Sequence, residues 1–365
     1  MNTTLSPMGR DFLDGLLTGQ AALAASPLSW LNALRAEALE CSGELTVPTT
    51  RDEEWRFTDI SQLVRMPFQP LQTPTALQLK DIEPFHLPEA TTRLVFVDGH
   101  FVPHLSVVDA ENNRVTICGL NAGMAVHGDL IARNLGRHAS FRDNAFTAIN
   151  TAFLHDGAFI YLPSGSTGMA PIHLLFVSAA RAASYPRCLI QCGAGSEATI
   201  VEEYVSLHDD ASFANAVSEI VLDDHARLNH VRIQRENVQA FHIAQCTATL
   251  ARESRYDGVQ VAMGARISRY NMDIMQAEEG AMSSLDGLAL ISGNQLADTH
   301  TCIMHARPNG KSRQLHKCIA DGSAHGVFNG KIKVQPGAQL TDSRQSSRNL
   351  LLSARAYVDI KPQLE

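Results

Sequence analysis

The sequence predicts a mainly β protein, either a sandwich or a β-solenoid, behind an N-terminal helical region. Three observations predict it. Apolar residues recur at helical spacing before residue 45, and prolines then cluster between residues 66 and 90. From about residue 170 onward, short β-rich segments recur, many opened by a small residue, with few helix windows between them. The chain's 365 residues suffice for one large domain or two ordinary ones. Apolar residues make up 45% and charged residues 19%, which supports a sizeable core and excludes a disordered or collagen-like chain. A formal net charge of -8 argues against a general nucleic-acid binder, which needs a basic field.

The elements follow in order. Ser6-Pro7 and Ser26-Pro27 read as N-cap and first-turn pairs. Phe12, Leu13, Leu16 and Leu17 follow the first pair. Leu28, Leu31, Leu34, Ala38 and Leu39 follow the second and share a helical face. Loops and an aromatic stretch run from Arg51 to Ile60. Pro67, Pro70, Pro74, Pro84 and Pro88 mark a linker-like crossing. We therefore divide the chain into a helical region with its linker, 1–90, and a β core, 91–365. Leu94 to Val97, then Asp98-Gly99, then His100 to Val102 reads as a tight hairpin. Helical interludes near Met124 to Leu135 and Asn144 to Leu154 read as surface helices closing the end of a sheet. Later strands open at Ala198, Ala226, Ala265, Ala281, Ala338 and Ala356. Their irregular intervals favour a solenoid with variable turns over a strict hexapeptide left-handed helix.

Three fragments imitate nucleotide motifs. Gly193-Ala-Gly-Ser-Glu-Ala198 fits G-x-G-x-x-A, but a strand-like segment follows where a helix N-terminus must meet the pyrophosphate. Gly310-Lys311-Ser312 resembles the end of a P-loop, but His305 stands where that loop needs glycine. Gly165-Ser-Thr-Gly168 is not G-x-S-x-G. The adjacent pairs Glu202-Glu203, Asp209-Asp210, Asp223-Asp224 and Glu278-Glu279 face opposite ways in a strand and make no dyad; most are read as solvated faces or turns.

The histidines and cysteines need more care. Period two puts His300, Cys302 and Met304 on one strand face and His305 on the other. His316 shares a face with Cys318, and His242 with Cys246. Cys188 and Cys192 face one side only if their segment is extended. A metal needs three or four converging ligands, and no compact ligand signature is present. Buried cysteines and hydrogen-bonded histidines are therefore the preferred reading. No metal is assigned; a metal would draw on His300, Cys302, His305 and His316. Seven cysteines without framework spacing fit a reduced compartment. The N-terminus lacks a basic start followed by an apolar stretch. Apolar runs such as Ile172 to Ala180 fall short of the ~20 residues of a membrane span. We expect a cytoplasmic protein that binds neither membrane nor nucleic acid.

Two segments go further. One is Arg51-Asp-Glu-Glu-Trp-Arg-Phe-Thr-Asp-Ile60. The other is a long string: Ala297-Asp-Thr-His-Thr301, Ser312-Arg-Gln-Leu-His-Lys317, Val327-Phe-Asn-Gly-Lys-Ile-Lys-Val334, Asn349-Leu-Leu-Leu352 and Ala356 to Glu365. Together they resemble the SufB/SufD family of iron–sulfur cluster assembly scaffolds, the SufD branch most closely, over the whole chain. The resemblance implies a right-handed parallel β-helix between helical regions. It implies a non-enzymatic partner of SufB and of the SufC ATPase, in a complex that builds a nascent iron–sulfur cluster, with no cofactor held stably by this chain.

The resemblance also implies a further strand with a Cys-x-His-like segment, then helices that dock SufC. The sequence stops at Lys361-Pro-Gln-Leu-Glu365 before either. A chain truncated at its C-terminal end is therefore expected. The histidine tied to cluster assembly at the SufB–SufD boundary matches no residue here. An uncovered last strand, Ala356 to Ile360, would template pairing and could make a homodimer. The rival readings are a β-helix enzyme acting on polysaccharide or ester substrates, and a His/Cys metalloprotein.

Overall fold

The computed structural model describes residues 7–109 and 115–365. The α-helices among them are α1 (Pro7–Leu17), α2 (Ser29–Glu44), α3 (Ser61–Val64), α4 (Leu79–Ile82), α5 (Leu120–Asn134) and α6 (Ala145–Ala152). The strands begin with β1 (Thr92–Val97), β2 (His100–Phe101), β3 (Thr116–Gly119), β4 (Gly157–Leu162), β5 (Ile172–Ser178), β6 (Ala183–Ser184) and β7 (Arg187–Cys192). A regular run follows: β8 (Glu197–Ser206), β9 (Phe213–Leu222), β10 (Arg227–Arg235), β11 (Phe241–Leu250), β12 (Arg255–Ala262) and β13 (Ile267–Gln276). It ends with β14 (Met282–Ile291), β15 (Leu296–His305), β16 (Lys311–Ala320), β17 (His325–Val334), β18 (Asp342–Leu351) and β19 (Tyr357–Leu364).

From β8 onward the chain deals successive strands to two sheets in turn. Even-numbered strands stack in parallel in one sheet, which continues through β5 to the β1–β2 hairpin. Odd-numbered strands stack in the other, which continues through β7 and β4 to β3. This is a β-solenoid, which the irregular strand intervals favoured and the family resemblance implied. Stacked side chains one turn apart, such as Asn229 over Thr199 and Arg252 beside Asp224, lie 30 and 28 positions apart. Strand alternation sends Leu174, Ile200, Leu228, Ile190, Ile220 and Leu250 into one continuous core between the sheets.

The recurrent alanines mark corners. The amides of Ala226, Ala324 and Ala356 close four-residue turns onto the carbonyls of Asp223, Asp321 and Ser353. Each of these alanines is buried at the entrance to the next strand. Ala338 differs from the expectation. It closes a turn onto Gln335, and the strand begins only at Asp342. Gly193–Ser196, the false dinucleotide motif, is another such corner, closed from Ser196 to Gly193 and followed by β8.

The N-terminal region packs against the flank and first turns of the solenoid. Phe12, Leu13, Leu16, Trp55 and Phe68 join Phe213 and Phe241 of the second sheet. α2 begins at Ser29, two residues later than predicted, because the Ser26 hydroxyl accepts the amide of Leu28 instead of capping the helix. The predicted cap Ser6 lies outside the described residues. The hairpin is as expected: Asp98 and Gly99 both take the positive φ that a two-residue turn requires. Both helical interludes are present, but α6 is no surface helix. All eight of its residues are buried, between α2 and β9.

Candidate functional site

Two polar constellations stand out, one on the flank of the solenoid and one inside it. On the flank, β13, β15, β17 and β19 present aligned outward positions: Arg269 beside Asp298, then Asn271, His300, Asn329 and Lys361 in one ladder. The segment Glu53 to Thr58 lies across them. The Trp55 ring covers the Arg269 guanidinium at 3.8 Å. Arg269 donates to the Glu54 carbonyl at 2.8 Å and to Asp298 at 2.5 Å. The Thr58 hydroxyl donates to the same carboxylate oxygen at 2.5 Å. His300 bridges two carboxylates, with Nε2 3.0 Å from Asp298 and Nδ1 3.3 Å from Glu54. Lys331 stands 3.7 Å from Glu54, and Lys361 2.6 Å from Glu53.

The electrostatics follow from this geometry. Burial alone would raise the Asp298 carboxyl, but Arg269, His300 and Thr58 outweigh it and hold it at about 2. The hydrogen bond from His300 leads in holding Glu54 at about 2 as well, against its partial burial. Burial would lower His300, yet its two carboxylates carry it above its ordinary value. The flank is a clamp that pins the N-terminal region to four stacked strands.

Inside the solenoid lies a second network. The Glu202 carboxylate accepts from Ser218 at 2.8 Å and Tyr204 at 3.1 Å, and stands 3.2 Å from His230. Burial pushes this carboxyl up, but His230, Ser218 and Arg232 together hold it down at about 2. His230 Nδ1 in turn pairs with the Tyr256 hydroxyl at 2.8 Å. Arg232 is sandwiched between the Tyr204 and Tyr270 rings and donates to His242 Nε2. His242 must therefore carry its proton on Nδ1, which donates to Glu236 at 2.7 Å. Burial lowers the His242 pKa, in keeping with a neutral ring. The adjoining cavity, bounded by Arg232, Tyr256, Gln314 and His316, holds about 30 Å³, room for about one water. Glu202 thus departs from the solvated reading of the acidic pairs. It faces inward; Glu203 faces the other way but is also buried, paired with His173 and Arg235.

The four candidate ligands divide between faces. His300 joins the clamp. Cys302 also faces outward, in register with Asp273 and Lys331, and burial raises its thiol. His305 points inward to the Ser312 hydroxyl at 3.0 Å, and His316 stacks on Phe328 at 4.4 Å. No group of three or more His, Cys, Asp or Glu among the described residues is arranged to hold a metal ion. Cys188 and Cys192 share a face in an extended strand, both buried in the core. Sequence reasoning missed Arg269 and Arg232, because an isolated arginine in a strand carries no signal until its partners are known.

The fold and the clamp define a class: a β-solenoid with a helical N-terminal region fastened to its flank. Residues 10–174 match the model of the SufBD protein N-terminal region. Residues 175–365 match that of the SufBD core domain of SUF system FeS cluster assembly. The chain is 35% identical to an iron–sulfur cluster assembly SufBD family protein of Synechocystis sp., over 96% of this chain and 79% of that protein. It is 28% identical to the iron–sulfur cluster assembly protein SufD of Escherichia coli, over 87% of this chain and 73% of that one. For the SufD of Bacillus subtilis the figures are 25%, 92% and 78%. The chain belongs to the SufB/SufD family of the SUF iron–sulfur assembly system, and within it is most like SufD.

Proposed function

We propose that the chain is a non-catalytic scaffold subunit of a SUF assembly complex, pairing with a SufB subunit and supporting the SufC ATPase in the cytoplasm. The nascent iron–sulfur cluster is cargo of the complex, not a resident group of this chain. One observation carries the reading: the ionisable cluster inside the solenoid is engaged with itself, and buried thiols are raised. Glu202, His230, Arg232 and His242 are drawn into one ion-paired and hydrogen-bonded network inside the solenoid, with Tyr256 on His230. Burial raises the thiols of Cys118 and Cys318 to about 11 and of Cys192 to about 12, so they stay protonated at neutral pH and are poor nucleophiles or ligands. Family membership supports the assembly role, and the relatives named SufD support the place within it. The test is co-purification of the tagged chain with untagged SufB and SufC of the same system. A complex holding all three is expected; a chain that recovers neither contradicts the reading. Protein purified alone without oxygen should carry far less than one iron per chain.

A further inference from the structure

At the junction of the N-terminal region and the first turns of the solenoid lies a pocket of about 360 Å³. Its ionisable lining comes from three places: Arg35 of α2, His100 of the hairpin, and His155 just before β4. Arg35 is only 7% exposed. Its Nε donates to the Leu154 carbonyl at 2.7 Å and its Nη1 to the Ala24 carbonyl at 3.1 Å. Both partners are neutral, and burial depresses its pKa with no carboxylate opposing. A buried cation without a counter-charge is costly.

His155 is also incomplete. Its Nδ1 donates to the Phe153 carbonyl at 2.9 Å, while its buried Nε2 has no partner. The His100 ring meets it edge-on at 4.9 Å and donates Nε2 to the Leu71 carbonyl at 2.8 Å. The neighbouring Asp156 does not supply the missing charge to the pocket. Its two oxygens accept the amides of Phe101 and Gly157, each at 2.9 Å. Leu23, Leu71 and Phe153 give the pocket an apolar wall.

We propose that this pocket binds a small organic anion: one carboxylate or phosphate group on a compact apolar body. The anionic head supplies the counter-charge of Arg35 and accepts from His155, and the body lies against Phe153 and Leu71. His155 Nδ1 is already committed to a carbonyl. Its Nε2 therefore takes up a proton when the anion arrives and becomes a donor. The charged and titratable groups facing this ring are Arg35, His100 and Asp156.

Titration calorimetry on the full chain tests this, with inorganic phosphate, benzoate and phenyl phosphate as probes. Benzoate or phenyl phosphate is expected to bind one to one and more tightly than inorganic phosphate, and which of the two wins identifies the head group. His155→Gln should weaken binding about tenfold. It should also abolish the proton uptake seen by comparing buffers of different ionisation enthalpy. His100→Gln should weaken binding less. Arg35→Gln also removes two structural hydrogen bonds, so His155→Gln carries the test, with circular dichroism confirming its fold. No saturable binding of any probe at millimolar concentration overturns the proposal. So does binding that is unchanged, in affinity and proton uptake, by His155→Gln.

Discussion

Asp298 is buried yet ionised because Arg269, His300 and Thr58 converge on it. Replacing it with asparagine leaves the Arg269 guanidinium buried without its charge partner. Breaking such a pair typically costs about 3–5 kcal/mol, and Asp298→Asn should lose that much in denaturant unfolding. The pH dependence has two limbs of opposite sign. Asp298 and Glu54 are held at about 2, so their contribution is full above their unfolded values near pH 4 and is lost as pH falls towards 2. His300 is raised, so its contribution is full below its unfolded value near pH 6.5 and is lost as pH rises through its folded value. Stability should therefore peak in mildly acidic solution. His300→Gln should flatten the alkaline limb, and Asp298→Asn the acid limb, in melting temperatures followed against pH. The strings Glu53 to Thr58 and Asp298 to His300 were legible as family signatures, but not as partners. Thr58 and Asp298 lie 240 positions apart, and nothing local to either reports the other.

At the scale of the element, the corners hold the solenoid's spacing. Ala281 is fully buried at the entrance to β14. Enlarging it overpacks the corner, so Ala281→Leu should cost about 1–3 kcal/mol in unfolding, with Ala251 at a partly exposed corner as the milder comparison. Gly157 makes a sharper case. Its φ is +151°, and a Cβ there would lie 1.7 Å from the Arg187 carbonyl oxygen. Gly165 also has a positive φ, but meets nothing within 4 Å. Gly157→Ala should prevent accumulation of folded protein, whereas Gly165→Ala should cost only about 1–2 kcal/mol. Strand alternation was legible because each sheet has one face on the core. It correctly separated His300 and Cys302 from His305, and the structure turns the first two outward and His305 inward. The repeat length was not legible, because corners of different length separate the strands. The burial of α6 was missed for another reason: Asn150 and Thr151 make it look half polar, yet both bond to Arg187 or to buried carbonyls.

For the whole molecule, the solenoid and the N-terminal region are fastened together by the clamp, and the interior holds the network around Glu202 and Arg232. Periodicity reached a mainly β chain, sandwich or solenoid, and two motif strings reached the family. Neither the clamp nor the pocket at Arg35 was legible, since both arise from contacts across the chain. The false P-loop is resolved at this scale too. Lys311 opens strand β16, and His305 is an inward core residue rather than a loop glycine. The proposed role, support of assembly without catalysis, is best tested by ATP turnover. The rate is measured for the chain alone, for SufC alone, and for SufB, SufC and the chain together. No turnover is expected from the chain, and SufC should turn over faster in the full mixture than alone. Turnover by the chain alone that persists through purification and falls with Lys311→Ala would contradict it.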